Sequence, residues 1–216
     1  MRPPERVRGV LFDCDGTLAD TERCWDEAVY DVAGDVSLSE AARTELLGGT
    51  VADVVACLRR LGHPQEETEL AGAYVEAVIA RERESARPMP GAVDLLAAVE
   101  ERYPVAVASN SPRCILDVAL AAAGFAHLRR RSVAADDVPR GKPEPDLYEA
   151  AARLIGVSPR DCVAFEDSPV GVEAAKRAGC FVIGCTTDAS VILDAHARID
   201  TLADPRVREW IGCAHA

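Results

Sequence analysis

The sequence predicts an α/β fold, in which helices cover both faces of a parallel sheet and a separate helical module is inserted into the chain. Short apolar runs are typical of buried strands, and helical patterns separate most of them. Strands that alternate with helices form parallel sheets, because a crossover must return the chain to the same edge. The predicted strands cover residues 7–12, 105–108, 132–135, 162–165 and 181–185.

The helices between these strands have recognisable starts and stops. Pro90-Gly91 precedes a helical pattern that contains Leu95, Leu96 and Val99. A second pattern, at 147–154, stops at Gly156, a residue type that commonly ends helices. We therefore expect a sheet with one layer of helices on each side.

The long interval between the first and second strands has only helical periodicity. Capping signals occur at Ser37 with Glu40 and at Thr50 with Asp53. We predict a helical cap domain at 20–87 and a core formed by 1–19 and 88–216, with hinges at the junctions for a lid that excludes water. The apolar stripes are Trp25, Ala28, Val29 and Val32; Val51, Val54, Val55, Leu58 and Leu61; and Leu70, Tyr74, Val78 and Ile79.

Composition narrows the class of protein. The chain has 216 residues, of which 49% are hydrophobic, and a net charge of -12. This content supports a substantial core, and the negative charge argues against nucleic acid or anionic membranes as partners. The eight cysteines include no CxxC pair, so we expect buried free thiols. Without an apolar leader or membrane-length run, the expected location is the cytoplasm.

Polar residues directly follow several of the predicted strands. Asp13 and Asp15 follow the first strand, Ser109-Asn110 the second, and Glu166-Asp167 the fourth. The carboxyl ends of parallel strands meet at one edge, where sites of such folds lie. Carboxylate oxygens are preferred ligands of Mg²⁺, so this edge could hold a magnesium ion beside a nucleophilic oxygen.

Each of these residues also has an ordinary structural explanation. Asp15-Gly16 is a common turn pair, Ser168 could cap a helix, and Lys142 could be a surface lysine before proline. Their joint occurrence at the strand ends of one alternating fold favours a functional site.

Four segments together resemble the motifs of the haloacid dehalogenase superfamily of phosphatases and phosphomutases. They read FDCDGTLAD, VASNS, RGKPEPDLY and AFEDSPVG, in the family's order and on the expected elements. The resemblance is to the helical-cap subgroup, which includes sugar-phosphate phosphatases and β-phosphoglucomutase. It implies a Rossmann-like core and a magnesium-dependent enzyme that acts on a small phosphorylated metabolite.

The resemblance also implies roles for the two aspartates of the first motif. Asp13 would be the nucleophile that forms an aspartyl-phosphate, and Asp15 would be the general acid and base. An aspartate is ionised at neutral pH, and the acyl-phosphate that it forms is reactive towards water. Since dehalogenases of the family lack the second aspartate, dehalogenation is disfavoured.

The remaining motif residues would bind the metal and the phosphate. By the same resemblance, Asp13, the backbone carbonyl of Asp15 and Asp167 would hold Mg²⁺, with Glu166 bound directly or through water. A metal is also needed electrostatically, because these carboxylates would otherwise repel a phosphate. The phosphate oxygens would contact three groups: the Ser109 side chain, the Asn110 amide and the Lys142 ammonium.

Specificity in this subgroup depends on a cap loop that corresponds to Gly48, Gly49 and Thr50. The related mutases carry an arginine directly after it, where this chain has Val51. This difference favours a phosphatase, and the resemblance to the subgroup's sugar-phosphate phosphatases implies a sugar or polyol phosphate as its substrate. We expect a monomer or weak homodimer. A β-phosphoglucomutase-like mutase and a non-catalytic phosphoacceptor are the alternatives. A phosphonate hydrolase would need a cap lysine, and residues 21–87 contain none.

Overall fold

A computed structural model describes residues 7–46, 50–188 and 190–212. Its main sheet has six parallel strands in the order β5-β4-β1-β6-β7-β8. The predicted three-layer α/β core is confirmed. The strands of this sheet are β1 (Gly9–Phe12), β4 (Val105–Ala108), β5 (Ser132–Val133), β6 (Cys162–Glu166), β7 (Phe181–Cys185) and β8 (Ala197–Ile199).

Two of these strands differ from the prediction. The third predicted strand, 132–135, stops at Val133, because a 3-10 helix occupies Ala135–Asp137. The sequence did not predict β8, since its three residues Ala-Arg-Ile make no apolar run.

Strand β1 lies at the centre of the sheet and packs on both of its faces. Successive side chains of a strand point to opposite faces. Val10 and Phe12 join one cluster with helix residues such as Leu95, whereas Leu11 joins another with residues such as Leu147. In the described residues after the insertion, the α-helices are α5 (Ala92–Glu100), α6 (Arg113–Ala122), α7 (Asp146–Leu154), α8 (Pro169–Ala178) and α9 (Pro205–Trp210).

The insertion between β1 and β4 is helical, as predicted, and has a core of its own. Its helices are α1 (Glu22–Ala33), α2 (Glu40–Leu46), α3 (Val51–Arg60) and α4 (Glu67–Ser85). Buried residues such as Leu58 and Tyr74 form a third cluster, which Ile115 of α6 joins from the sheet side. The predicted capping box of Thr50 and Asp53 is present. The cap of α2 is Ser39 rather than Ser37, because Ser39 Oγ accepts the Ala42 amide.

The two crossings between the insertion and the sheet form a small antiparallel ribbon of β2 (Ala19–Asp20) and β3 (Arg87–Pro88). Two-residue strands carry no periodicity, so the sequence did not predict them. The division of the chain into domains stays a prediction. Among the described residues, no helix has both the length and the hydropathy of a membrane span. Six of the described cysteines are free and buried, and Cys114 is free and exposed.

Candidate active site

The turn after β1 places two aspartates at the carboxyl edge of the sheet. The Asp13 amide extends the sheet pairing by donating to the Phe165 carbonyl over 3.0 Å. Gly16 has φ +76°, a conformation that favours glycine. A Cβ on Gly16 would also lie 2.2 Å from Asp167 Oδ2. The turn therefore requires glycine to bring the first and fourth motifs together.

Lys142 lies between two buried carboxylates at this edge. Its Nζ donates to Asp13 Oδ1 and, over 2.5 Å, to Glu166 Oε1. Glu166 has no exposed surface, and it also accepts hydrogen bonds from Tyr148 Oη at 2.5 Å and Ser168 Oγ at 3.1 Å. Burial lowers the pKa of Lys142, but the charges of Asp13 and Glu166 raise it more, so the net shift is upward and Lys142 stays charged.

The Asn110 side chain holds the backbone of Lys142 in place. Asn110 Oδ1 accepts the Lys142 amide at 2.8 Å, and Asn110 Nδ2 donates to the Lys142 carbonyl at 3.4 Å. A Cβ on Gly141 would lie 2.6 Å from Asn110 Oδ1, so only glycine allows this approach. The Asn110 side chain therefore fixes the lysine loop, a role that the sequence did not predict.

Asp15 is surrounded by neutral donors instead of cations. Its Oδ2 accepts hydrogen bonds from the hydroxyls of Ser109 at 3.1 Å and Ser111 at 2.7 Å. Its Oδ1 accepts the Thr21 hydroxyl at 2.7 Å and the Trp25 indole N–H at 3.4 Å. Ser109 and Ser111 belong to the sheet side, whereas Thr21 and Trp25 lie at the start of the helical insertion. Asp15 thus joins the two parts of the chain.

Three acidic side chains are arranged so that they could bind a metal ion. One ligand atom from each of Asp13, Glu166 and Asp167 lies within 4.8 Å of the others. Burial raises the pKa of Asp13 to about 8, although the Lys142 charge opposes the shift. Burial and the charge of Asp13 also raise the pKa of Asp167. Contrary to the expectation from its residue type, Asp13 therefore keeps a proton at neutral pH unless a further cation offsets the crowded carboxylates. A divalent cation fits this donor set.

The predicted site residues are thus distributed over two neighbouring groups of contacts. Asp13, Lys142, Glu166 and Asp167 form one group, and Asp15 and Ser109 belong to the other. Of the cap loop, Gly48 and Gly49 lie outside the described residues, and Thr50 caps α3.

Sequence reasoning missed four of the contact residues. Trp25 fitted an apolar helix stripe, Tyr148 belonged to the third motif without a role of its own, and Ser111 and Thr21 matched no motif role. The polar tips of the tyrosine and tryptophan side chains, which need a partner when buried, were the one signal that pointed to the first two.

Comparison with known proteins shows the family of the chain. The sequence model of the haloacid dehalogenase-like hydrolases matches residues 7–179. Validoxylamine A 7'-phosphate phosphatase of Streptomyces hygroscopicus subsp. limoneus is 33% identical over 205 residues, 91% of this chain and 94% of that protein. Fructose-1-phosphate phosphatase YqaB of Escherichia coli is 35% identical over 178 residues, 81% of this chain and 94% of that protein.

Solved structures show the same architecture. CbbY from Rhodobacter sphaeroides, solved in complex with phosphate, superimposes with a TM-score of 0.80 at 29% identity, covering 92% of this chain and 96% of that one. A putative β-phosphoglucomutase from Thermotoga maritima gives 0.76 at 25% identity, covering 94% and 99%. From the match over residues 7–179 and these relatives, the chain belongs to the haloacid dehalogenase-like hydrolases and is a phosphoric monoester hydrolase.

Proposed function

We propose that this enzyme is a magnesium-dependent phosphatase that hydrolyses a sugar or polyol phosphate through a phosphoryl group on Asp13. The observation that carries the proposal is the contact of Asp13 with Lys142, beside Glu166 and Asp167. This arrangement keeps a nucleophilic oxygen and a cation together at the carboxyl edge of the sheet. Relatives named as fructose-1-phosphate and hexitol phosphatases support a phosphorylated sugar or polyol as the substrate.

Asp13, Asp167 and the backbone carbonyl of Asp15 would hold the Mg²⁺, with Glu166 beside them. Both carboxylate oxygens of Glu166 accept hydrogen bonds from protein groups, so its main task is to hold Lys142. When bound, the ion offsets the charge of the carboxylates and of the transferring phosphoryl group.

Phosphoryl transfer then uses groups of the chain itself. A carboxylate oxygen of Asp13 forms a bond to phosphorus while the bond to the leaving oxygen breaks, and Asp15 gives that oxygen a proton. In the second half, Asp15 takes a proton from water, the water oxygen attacks phosphorus, and the bond to Asp13 breaks. Lys142, Ser109 and the Asn110 amide bind the phosphoryl oxygens and stabilise their developing charge.

The residue after Thr50 favours a single phosphate group on the substrate. A bisphosphate would need a second cation on the cap side, and Val51 offers none. The four-helix insertion would cover the leaving group and exclude water. A mutase is the alternative, since the similar structures include a putative β-phosphoglucomutase.

Phosphate release tests the proposal directly. The purified enzyme is assayed with sugar phosphates, polyol phosphates, phosphoglycolate and nucleotides, each with Mg²⁺ and with a chelator. We expect magnesium-dependent release from several related sugar or polyol phosphates. Conversion of a hexose 1-phosphate only after priming with a bisphosphate would instead identify a mutase, and release without Mg²⁺ would refute the metal requirement.

A further inference from the structure

Glu82, in the last turn of α4, is a buried carboxyl group that no role described so far explains. It has no exposed surface, and neither of its oxygens has a hydrogen-bond partner. No other residue in the described part of the chain carries a buried side-chain nitrogen or oxygen left without a partner. Buried polar groups are normally paired, so this position calls for an explanation.

The surroundings of Glu82 link it to the active site. Burial, and then the negative charge of Asp15, raise its pKa to about 9, while the Trp25 indole N–H opposes the shift. Glu82 is therefore a neutral acid at neutral pH, and its carbonyl oxygen can accept a hydrogen bond. The donor beside it is the same indole that contacts Asp15 at 3.4 Å.

The Trp25 ring is fixed in this position by Tyr74 of α4. The two rings meet edge to face with 6.0 Å between their centroids, and Tyr74 Oη donates to the Trp25 carbonyl over 3.2 Å. The indole N–H is thus placed near two carboxyl groups, one on the turn after β1 and one on α4. It can donate to only one of them at a time.

Asp15 cannot act on a leaving group while all of its donors are in place. An ionised carboxylate has about four acceptor sites, and Asp15 accepts hydrogen bonds from Thr21, Trp25, Ser109 and Ser111. A proton or a substrate oxygen must replace one of these donors. In the proposed reaction the Ser109 hydroxyl turns from Asp15 Oδ2 to a phosphoryl oxygen. On Asp15 Oδ1 the bond from Trp25, at 3.4 Å, is longer than the bond from Thr21, at 2.7 Å, and so it is the one that can be given up there.

We propose that Glu82 is a positioning residue that accepts the Trp25 indole N–H when Asp15 turns to the leaving oxygen. Without this second acceptor, the N–H of the half-buried Trp25 would lose its protein partner, which opposes the movement of Asp15. The inference rests on the proposed function, in which Asp15 is the general acid and base.

Three single variants and one double variant test the inference on the full-length enzyme. Glu82→Leu removes the acceptor and keeps the volume, and we expect kcat to fall about tenfold with KM changed less than twofold. Glu82→Gln keeps a carbonyl oxygen at this position, so this single variant should retain most of the wild-type activity. Trp25→Phe removes the donor, and adding Glu82→Leu to it should lower kcat no further.

The matched control is Glu84→Leu, at an exposed position of the same helix, which should keep the wild-type kcat. Circular dichroism and thermal melting establish that each variant is folded. A wild-type kcat in Glu82→Leu, an equal loss in Glu82→Gln, or an additive loss in the double variant would each overturn the inference. If the wild-type enzyme releases no phosphate, the proposed function fails and this inference fails with it.

Discussion

Glu166 at the end of β6 and Glu82 in the last turn of α4 are both fully buried carboxyl groups, but their surroundings are opposite. Glu166 contacts an ammonium and two hydroxyl groups, from Lys142, Tyr148 and Ser168. Glu82 has no hydrogen-bond partner. The glutamate on the sheet side thus belongs to a complete polar network, whereas the glutamate on the insertion side has unpaired carboxyl oxygens.

The difference shows how the two sides can serve one reaction. A buried charge is tolerated where its partners are fixed, and the contacts of Lys142 with Asp13 and Glu166 are of this kind. Such a network suits Asp13 in its proposed role as a nucleophile, which must stay in place. An unpaired buried acceptor suits a part of the site where hydrogen bonds have to exchange.

Asp13→Asn is the change with the largest expected effect on the sheet side. The amide cannot attack phosphorus, so we expect kcat to fall by about 10⁴-fold or more in a folded protein. Steady-state phosphate release measures the loss, circular dichroism checks the fold, and the exposed Asp35→Asn is the control. Retention of a wild-type rate would show that Asp13 is not the nucleophile.

Lys142→Met breaks the sheet-side network itself. We expect kcat/KM to fall roughly 10² to 10³-fold, because the cation beside Asp13 is lost. The Lys142 charge lowers the pKa of Asp13, so its removal raises that pKa, and activity should be lost at a higher pH as the solution is acidified. The control is Lys176→Met, which removes a surface ion pair with Asp194. A change in kcat/KM below twofold would contradict the role of Lys142.

Glu82→Gln tests whether Glu82 is uncharged in the folded protein, through the pH dependence of the free energy of unfolding. The pKa of Glu82 is raised from 4.5 to about 9, so the folded state keeps a proton that the unfolded state releases between these values. Wild-type stability should therefore fall as the pH rises through this window, and the variant should not share that loss. Between pH 5 and pH 8 we therefore expect the wild type to lose up to about 4 kcal/mol in free energy of unfolding relative to Glu82→Gln.

Urea titrations of the wild type, Glu82→Gln and the exposed control Glu84→Gln at pH 5 and pH 8 measure this difference. An equal gain in Glu84→Gln would assign the effect to the general charge of the helix. A difference between wild type and Glu82→Gln that does not change with pH would mean that Glu82 is ionised in the folded protein.

Sequence predicted the parts of the site that lie in local motifs. Asp13 and Asp15 follow a recognisable strand, and Glu166-Asp167 follow another, so the meeting of strand ends could be expected from the alternating pattern. The short strands β2, β3 and β8 were not predicted, because two or three residues give no periodic signal.

The sequence did not predict the remaining contacts of the site, because they join residues that lie far apart along the chain. Trp25 fits an apolar helix stripe, and the stripe does not reveal that its N–H reaches Asp15. Glu82 lies in a helix rich in charged residues, where an acidic side chain is expected to face solvent. Its burial follows from the packing of α4 on α1 and α6, which only the folded chain shows.

The ribbon of β2 and β3 has a consequence for the history of such enzymes. Its paired residues, Ala19 with Pro88 and Asp20 with Arg87, bring the two ends of the insertion side by side, about 5 Å apart. A segment whose ends lie so close can be replaced by another of different length without moving the sheet. Under the proposed function, phosphate chemistry belongs to the sheet side and recognition of the rest of the substrate to the insertion, so the two would be free to change independently of each other.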